Sequence, residues 1–271
     1  MKSRAAGRSR GDRHGTSRIV RATVLLAAAT LVAPAGPWTA WTAGSGRARA
    51  QEPHEEQRLR MVREQLASEA PFREAITDSA VLAAMRTVPR HRFVPPVLRD
   101  AAYRDRPLPI GRGQTISQPW IVARMTELVR PAPGDKVLEV GTGSGYQAAV
   151  LAEIVDHVYT VEIIDDLARS ARRLLRELGY ANVTVRHGDG YGGWPEHAPF
   201  DAIVVTAAPE EVPPPLIEQL ARGGRMVIPV GPQRLGQGLT VLHRKADGSV
   251  ERRVVSAVRF VPMTRDTGSG G

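Results

Sequence analysis

The sequence contains no cysteine. Disulfides, thiolate nucleophiles and cysteine-bound metals are therefore excluded, while the compartment stays open, because such a chain tolerates oxidising and reducing surroundings alike. Long apolar runs are missing as well. The stretch Ala22 to Ala35 is broken by Thr23, Thr30 and Pro34, and it falls short of the roughly 20 residues that a membrane-spanning helix needs. No stable membrane anchor is expected. The seven histidines show no paired spacing and no matching acid cluster, so no metal site is expected. A net charge of +9 suggests nucleic acid until it is located. Residues 1–50 hold nine Lys or Arg against the single acid Asp12, which is +8 of the total and leaves +1 for everything after. The excess is a tail and not a binding face, which removes nucleic acid from the expected partners.

That tail has its own pattern. Basic residues through Arg21 precede the apolar run, and small residues then lead to Ala48-Arg49-Ala50 before Gln51. This is the layout of a secretory leader with an A-x-A-like cleavage site. The competing reading is a disordered tail from a start codon placed too early. A mature chain beginning at Gln51 outside the cytoplasm is the mark of export.

The 271 residues suffice for one large domain with appendages. Four segments are expected: a leader over 1–50, helices and a polar loop over 51–120, a ligand-binding core over 121–235, and a hairpin with a tail over 236–271. Leu59, Val62 and Leu66 lie three to four residues apart and predict a helix that Pro71 ends. Thr77 or Asp78 caps a second helix, and Pro119 starts a third. Residues 89–109 read as an irregular connector. From Asp135 the rhythm alternates. Strands are predicted over Lys136–Val140, His157–Glu162, Asn182–Arg186, Phe200–Thr206 and Arg225–Val230, with helices over Gly145–Ile154, Asp165–Leu178 and Pro213–Leu220. Such βαβ order predicts a mostly parallel, doubly wound sheet, with ligand outside the carboxyl ends of its strands. Ala246-Asp247-Gly248 between two apolar runs predicts an antiparallel hairpin.

Gly141, Gly143 and Gly145 follow the first of these strands. A dinucleotide fingerprint would place its third glycine where Tyr146 stands, which argues against NAD or FAD. The Lys-Ser/Thr of a phosphate-gripping loop is missing too, and Glu139 before the turn suits a cationic or amine-bearing ligand. Glu162 ends the next strand 21 positions after Gly141, where an acid can hold ribose hydroxyls; a helix N-terminal charge is its competing role. Asp189, between Gly188 and Gly190, is placed to meet an adenine amine or to make a turn. The polar loop Gly113-Gln114-Thr115-Ile116-Ser117-Gln118-Pro119 is placed to reach across that site as a lid. Arg90 and Arg92 read as solvated surface, His91 and His187 as structural, and Trp120 and Trp194 as packing or rim residues.

On Gly113–Pro119, Val137–Tyr146, His187–Gly190 with Trp194, Asp201–Pro209 and Arg259-Phe260-Val261-Pro262, the chain resembles the S-adenosylmethionine-dependent methyltransferases. Within them it is similar to the protein-L-isoaspartate O-methyltransferase family, from about Val62 to Thr264. The glycine turn is shared widely among methyltransferases, and the GQTISQP loop is the specific part. The resemblance implies a class I methyltransferase (Rossmann-like) fold and S-adenosyl-L-methionine as cofactor. It implies a cofactor set of Glu139, Gly141, Thr142, Gly143, Glu162, Asp189 and Gly190. It also implies a substrate loop of Thr115, Ile116 and Ser117, with Ser117 matching the residue usually marked catalytic. The implied reaction is methylation of the free α-carboxylate of L-isoaspartyl residues, a protein-repair activity on isoaspartyl proteins and peptides by a monomer. The family default is the cytoplasm, where the methyl donor is made, and the leader is the feature that points to export. Two other readings are a small-molecule methyltransferase and an exported binding protein on the same fold.

Overall fold

The structure, a computed structural model, describes residues 53–265 apart from Phe72 and Leu235. The leader-like segment 1–50 and the tail from Asp266 lie outside the described residues. Helix α1 (Pro53–Arg60) runs into a wider π-type turn, Met61–Leu66, which buries Met61, Val62 and Leu66 completely. Helix α2 (Ser79–Thr87) begins at Asp78, whose carboxylate accepts the backbone N–H groups of Ala80 and Val81. Such a cap satisfies amides that a helix start leaves unpaired and is worth about 1 kcal/mol. The connector after it is irregular, with 3-10 turns at Arg90–Phe93 and Pro96–Ala101.

Strands β1 (Leu108–Gly111) and β2 (Gln114–Ile116) then form a separate antiparallel hairpin. The expectation of a polar loop from Gly113 is corrected here, since its first half is a strand. Strands of four and three residues are too short for alternation to stand out in sequence. Helix α3 (Pro119–Val129) buries Trp120, Val122, Met125 and Val129. Each such side chain removed from water contributes about 1.5–3 kcal/mol.

The remaining elements are β3 (Lys136–Val140), α4 (Tyr146–Ala152), β4 (His157–Glu162), α5 (Asp165–Glu177), β5 (Val183–His187), β6 (Phe200–Val205), α6 (Pro214–Gln219), β7 (Leu220–Val230), β8 (Gln237–Arg244) and β9 (Val250–Val258). They build one seven-stranded sheet in the order β5-β4-β3-β6-β7-β8-β9. Strands β3 to β7 are parallel, whereas β8 and β9 run antiparallel to their neighbours as the predicted hairpin. The doubly wound expectation holds. From β3 the chain winds outward through β4 and β5, then returns to place β6 on the other side of β3. The crevice between the carboxyl ends of β3 and β6 is thus the switch point where such sheets take ligand. Strand β7 starts five residues before the expected Arg225, at Leu220. The pairing skips from Leu220 to Arg225, so residues 221–224 form an irregularity inside the strand, and Gly223-Gly224 disguises it as a loop in sequence.

Parallel strands are covered on both faces, and each face here has its own core. Val137, Val158, Ala202, Val204 and Val227 pack on the side of the N-terminal helices. Leu138, Val140, Val161, Ile203 and Met226 pack on the other, with Trp194 and Leu216. Alternation along β3 puts Glu139 on the first of these faces with Val137, beside its register partner Thr160 on β4. No helix among the described residues is long and apolar enough to cross a membrane.

Candidate active site

Two cavities meet at the carboxyl ends of the parallel strands. The first is floored by Val140, Gly141 and Gly143 after β3, by Val161 and Glu162 at the end of β4, and by Gly190 after β5. The second has a volume of about 770 Å³ and takes Ser117, Gln118 and Trp120 on one wall, with Arg259, Phe260 and Val261 on another. Thr115, Thr206 and Val261 line both. A slot suited to a small cofactor therefore opens onto a larger depression that can admit a segment of another chain.

The floor of the slot depends on missing side chains. Gly141 has φ of 97°, and a Cβ there would lie 2.4 Å from Thr206 Oγ1. That hydroxyl donates to the Gly141 carbonyl at 2.6 Å, so the turn after β3 is bonded to the end of β6. Any side chain would strain the backbone and break the bond. At Gly190 a Cβ would lie 2.4 Å from Val140 Cγ1, so this wall packs directly on the end of β3 only because nothing projects from it. Glu162 Oε2 accepts the Gly143 N–H at 2.7 Å and Oε1 accepts the Ile164 N–H at 2.9 Å. One carboxylate thus joins the glycine turn to the start of α5, with lone pairs to spare for a ligand hydroxyl. Both roles weighed for Glu162 in the sequence are compatible with this geometry.

Glu139 lies behind the slot and does not line it. It is fully buried, with Oε2 accepting from the Thr160 hydroxyl at 2.5 Å and Oε1 without a partner. The Thr160 and Thr142 hydroxyls are 2.6 Å apart. Glu139, Thr160 and Thr142 thus form a hydrogen-bonded chain of three side chains under the turn. Burial pushes the Glu139 carboxyl up to about 8; the Thr160 bond opposes this and the Glu162 charge adds to it. Folded, Glu139 keeps a proton that the unfolded chain releases above its ordinary value of 4.5. The stability it contributes is therefore full below that value and is lost as pH rises through about 8. Melting temperatures of the native chain and of Glu139→Gln, compared from about pH 5 to about pH 9, are expected to diverge steadily as the native chain weakens. A constant difference across that range would sink this account.

The other expected site residues fall into two groups. Gly141, Gly143, Glu162, Gly190 and Thr115 line the slot, and Ser117 joins Thr115 in the larger cavity. Thr142 and Ile116 are buried at 3 % exposure and support the walls from behind. Asp189 accepts the Tyr191 N–H at 2.8 Å and starts the turn Gly190–Gly192, the turn role its sequence context allowed. Trp120 is buried and its indole N–H donates to the Glu74 carbonyl at 2.9 Å.

One expectation misses, and two parts of the site had no assigned role. Arg90 is not solvated surface; it is fully buried, its Nε donates to the Ala102 carbonyl at 2.7 Å, and its guanidinium lies 4.8 Å from the Tyr146 ring centre. Burial lowers it to about 10, a value at which it is still a cation, so the aromatic face partly offsets its desolvation. Thr206 lies in Asp201–Pro209, a segment that carries the resemblance, but had no assigned role, although it follows β6, whose carboxyl end faces the site. The segment Val261–Thr264, which roofs the slot, also had no assigned role. Val261 and Met263 are tied to Ala208 by backbone bonds of 2.8 and 2.9 Å, a pairing over more than fifty positions that no local pattern signals.

Comparison with known proteins agrees with this arrangement. The family model described as protein-L-isoaspartate(D-aspartate) O-methyltransferase matches residues 61–268. A protein-L-isoaspartate O-methyltransferase of Gloeobacter violaceus is 64% identical over 191 residues, covering 70% of this chain and 93% of its own. Another from Opitutus terrae is 58% identical over 210 residues, covering 78% and 88%. Among solved structures, a protein-L-isoaspartate O-methyltransferase superposes with a TM-score of 0.67 at 29% identity, over 79% of this chain and 67% of that one. A candidate enzyme of the same kind from Plasmodium falciparum, in complex with S-adenosyl-L-homocysteine, gives 0.64 at 25% identity over 78% and 98%. Fold, glycine floor and matched length converge, and the chain belongs to the protein-L-isoaspartate(D-aspartate) O-methyltransferase family.

Proposed function

We propose that this chain transfers a methyl group from S-adenosyl-L-methionine to the free α-carboxylate of L-isoaspartyl residues in damaged proteins. The following peptide nitrogen then displaces methanol from the ester, closing a succinimide without help from the enzyme, and hydrolysis returns part of it to the normal aspartyl linkage. The observation that carries this reading is the junction of the two cavities at Thr115, Thr206 and Val261. It sets a cofactor-sized slot against a wall bearing Ser117, with room beyond for a polypeptide.

The slot suits the cofactor on its own terms. Gly141 and Gly190 let the turns after β3 and β5 pack directly on Thr206 and Val140 where a Cβ would collide, and Glu162 presents a carboxylate in the slot these turns line. Gly141, Gly143, Glu162 and Gly190 would hold it directly, with Glu139, Thr142 and Asp189 shaping the wall behind. When bound, S-adenosylmethionine supplies a methyl group on a sulfonium, so that transfer leaves a neutral thioether. The substrate carboxylate has an ordinary pKa of about 3.3–3.7 and is already ionised at neutral pH. No base is required, and no histidine lines either cavity among the described residues. The protein's contribution is alignment, with Ser117 holding the carboxylate by a hydrogen bond; alignment alone can be worth about 7–11 kcal/mol in favourable cases.

Both cavities are completed by one copy of the chain, which favours action as a monomer. We place the activity in the cytoplasm, where the methyl donor is made; a mature start at Gln51 elsewhere is the mark against that. The direct test is transfer of labelled methyl groups to an isoaspartyl peptide and to its aspartyl counterpart. Methylation of the first alone is expected. Equal labelling of both, or labelling only of small carboxylates, would overturn the reading.

A further inference from the structure

Asp105 lines neither cavity, yet donors from three residues that line the larger one converge on its carboxylate. The Trp120 N–H donates to Oδ1 at 2.8 Å, and Gln118 Nε2 donates to Oδ2 at 2.8 Å. The Arg73 guanidinium is ion-paired to Oδ2 as well. The Asp105 side chain is 12% exposed and that of Arg73 20%, so water competes little for these bonds.

The first two bonds fix the segment that carries Ser117. Helix α3 begins at Pro119, and Gln118 at its cap position makes no capping bond of its own. Asp105 supplies the cap from 15 positions away, which orients Gln118 and hence the peptide unit next to Ser117. The third bond fixes Arg73, another residue of the cavity lining. Arg73 lines the larger cavity beside Ala70 and Pro71, lies 5.7 Å from the Trp120 ring centre, and is held to Ala70 by a pair of backbone bonds. One carboxylate therefore ties the segment that carries Ser117 to Arg73, and also neutralises a guanidinium that would otherwise face the acceptor carboxylate unpaired.

We propose that Asp105 is a positioning residue for the methyl acceptor: it holds Ser117 in register with the slot and keeps Arg73 from capturing the substrate carboxylate in an unproductive place. This rests on the isoaspartyl reading above, while the cofactor slot is built from other residues and does not depend on it. Three quantities test it in the full chain: kcat and KM for an isoaspartyl peptide, and Kd for S-adenosylhomocysteine. Asp105→Ala is expected to lower kcat about tenfold or more with Kd within about twofold of the native chain. Asp105→Asn keeps an oxygen for the Trp120 N–H and is expected to recover part of kcat but not the pairing with Arg73. If the alanine variant fails to fold, Gln118→Ala removes one of the three bonds and is expected to lower kcat alone, by about threefold. A kcat within twofold of native in all three variants, or a matching loss of S-adenosylhomocysteine binding, would refute the proposal. A native chain inactive on the isoaspartyl peptide would instead refute the function itself.

Discussion

Gly141→Ala is expected to abolish measurable S-adenosylhomocysteine binding and to destabilise the chain by about 2–4 kcal/mol. Two costs add. The backbone at φ of 97° is one that a residue with a Cβ rarely adopts, and the new atom would sit 2.4 Å from Thr206 Oγ1. Relieving the contact means moving Thr206 off the Gly141 carbonyl, which uncouples the end of β6 from the turn. Gly143 is the internal control. Its φ of 52° lies in the region other residues visit, and a Cβ there would meet Ile110 Cδ1 at 3.4 Å, ordinary contact. Gly143→Ala is expected to cost only about 1–2 kcal/mol and to retain weakened binding. Calorimetry on both variants decides the matter: equal binding by the two would mean that the turn's contact with Thr206 is irrelevant.

Ser117→Ala is expected to lower kcat about hundredfold while leaving cofactor affinity unchanged. The structure separates this residue from its competing structural role. The cap of α3 comes from Asp105, so removing the Ser117 hydroxyl takes away no bond of the helix start. Ser117 is half-buried on the wall of the larger cavity, and the fold should lose little from its truncation. Ser117→Thr retains a hydroxyl and is expected to recover part of the rate. Steady-state kinetics with an isoaspartyl peptide read both. Loss of melting temperature in step with kcat would assign Ser117 to the fold instead.

The sheet was largely legible in the sequence because parallel strands, buried on both faces, are continuous apolar runs. Strands β3 and β4 fall at the expected Lys136–Val140 and His157–Glu162. The β1–β2 hairpin was not legible, since three or four residues carry no period, and the early start of β7 was hidden by its glycine pair. In the site, the turn glycines and Glu162 were readable because strand, turn and helix are contiguous. Thr206, Asp105 and the roof at Val261–Thr264 arrive from distant parts of the chain, and only the pairing of strands brings them together. Residue type also says little about depth. Glu139 and Arg90 are charged in sequence and fully buried in the fold, one because alternation along β3 turns it toward the helices, the other because a carbonyl and an aromatic face receive it.

The roof over the slot has a consequence for shortened chains. Its residues come after β9, close to the end of the described chain, and they are anchored to Ala208 only once they are present. A chain cut before Val261 keeps every residue of β3 to β9 and lacks only this closing segment. The methyl-donor slot of such a chain stays open on one side. A truncation before Val261 is therefore expected to leave the strands of the sheet in place and to weaken cofactor binding, because one side of the slot is gone.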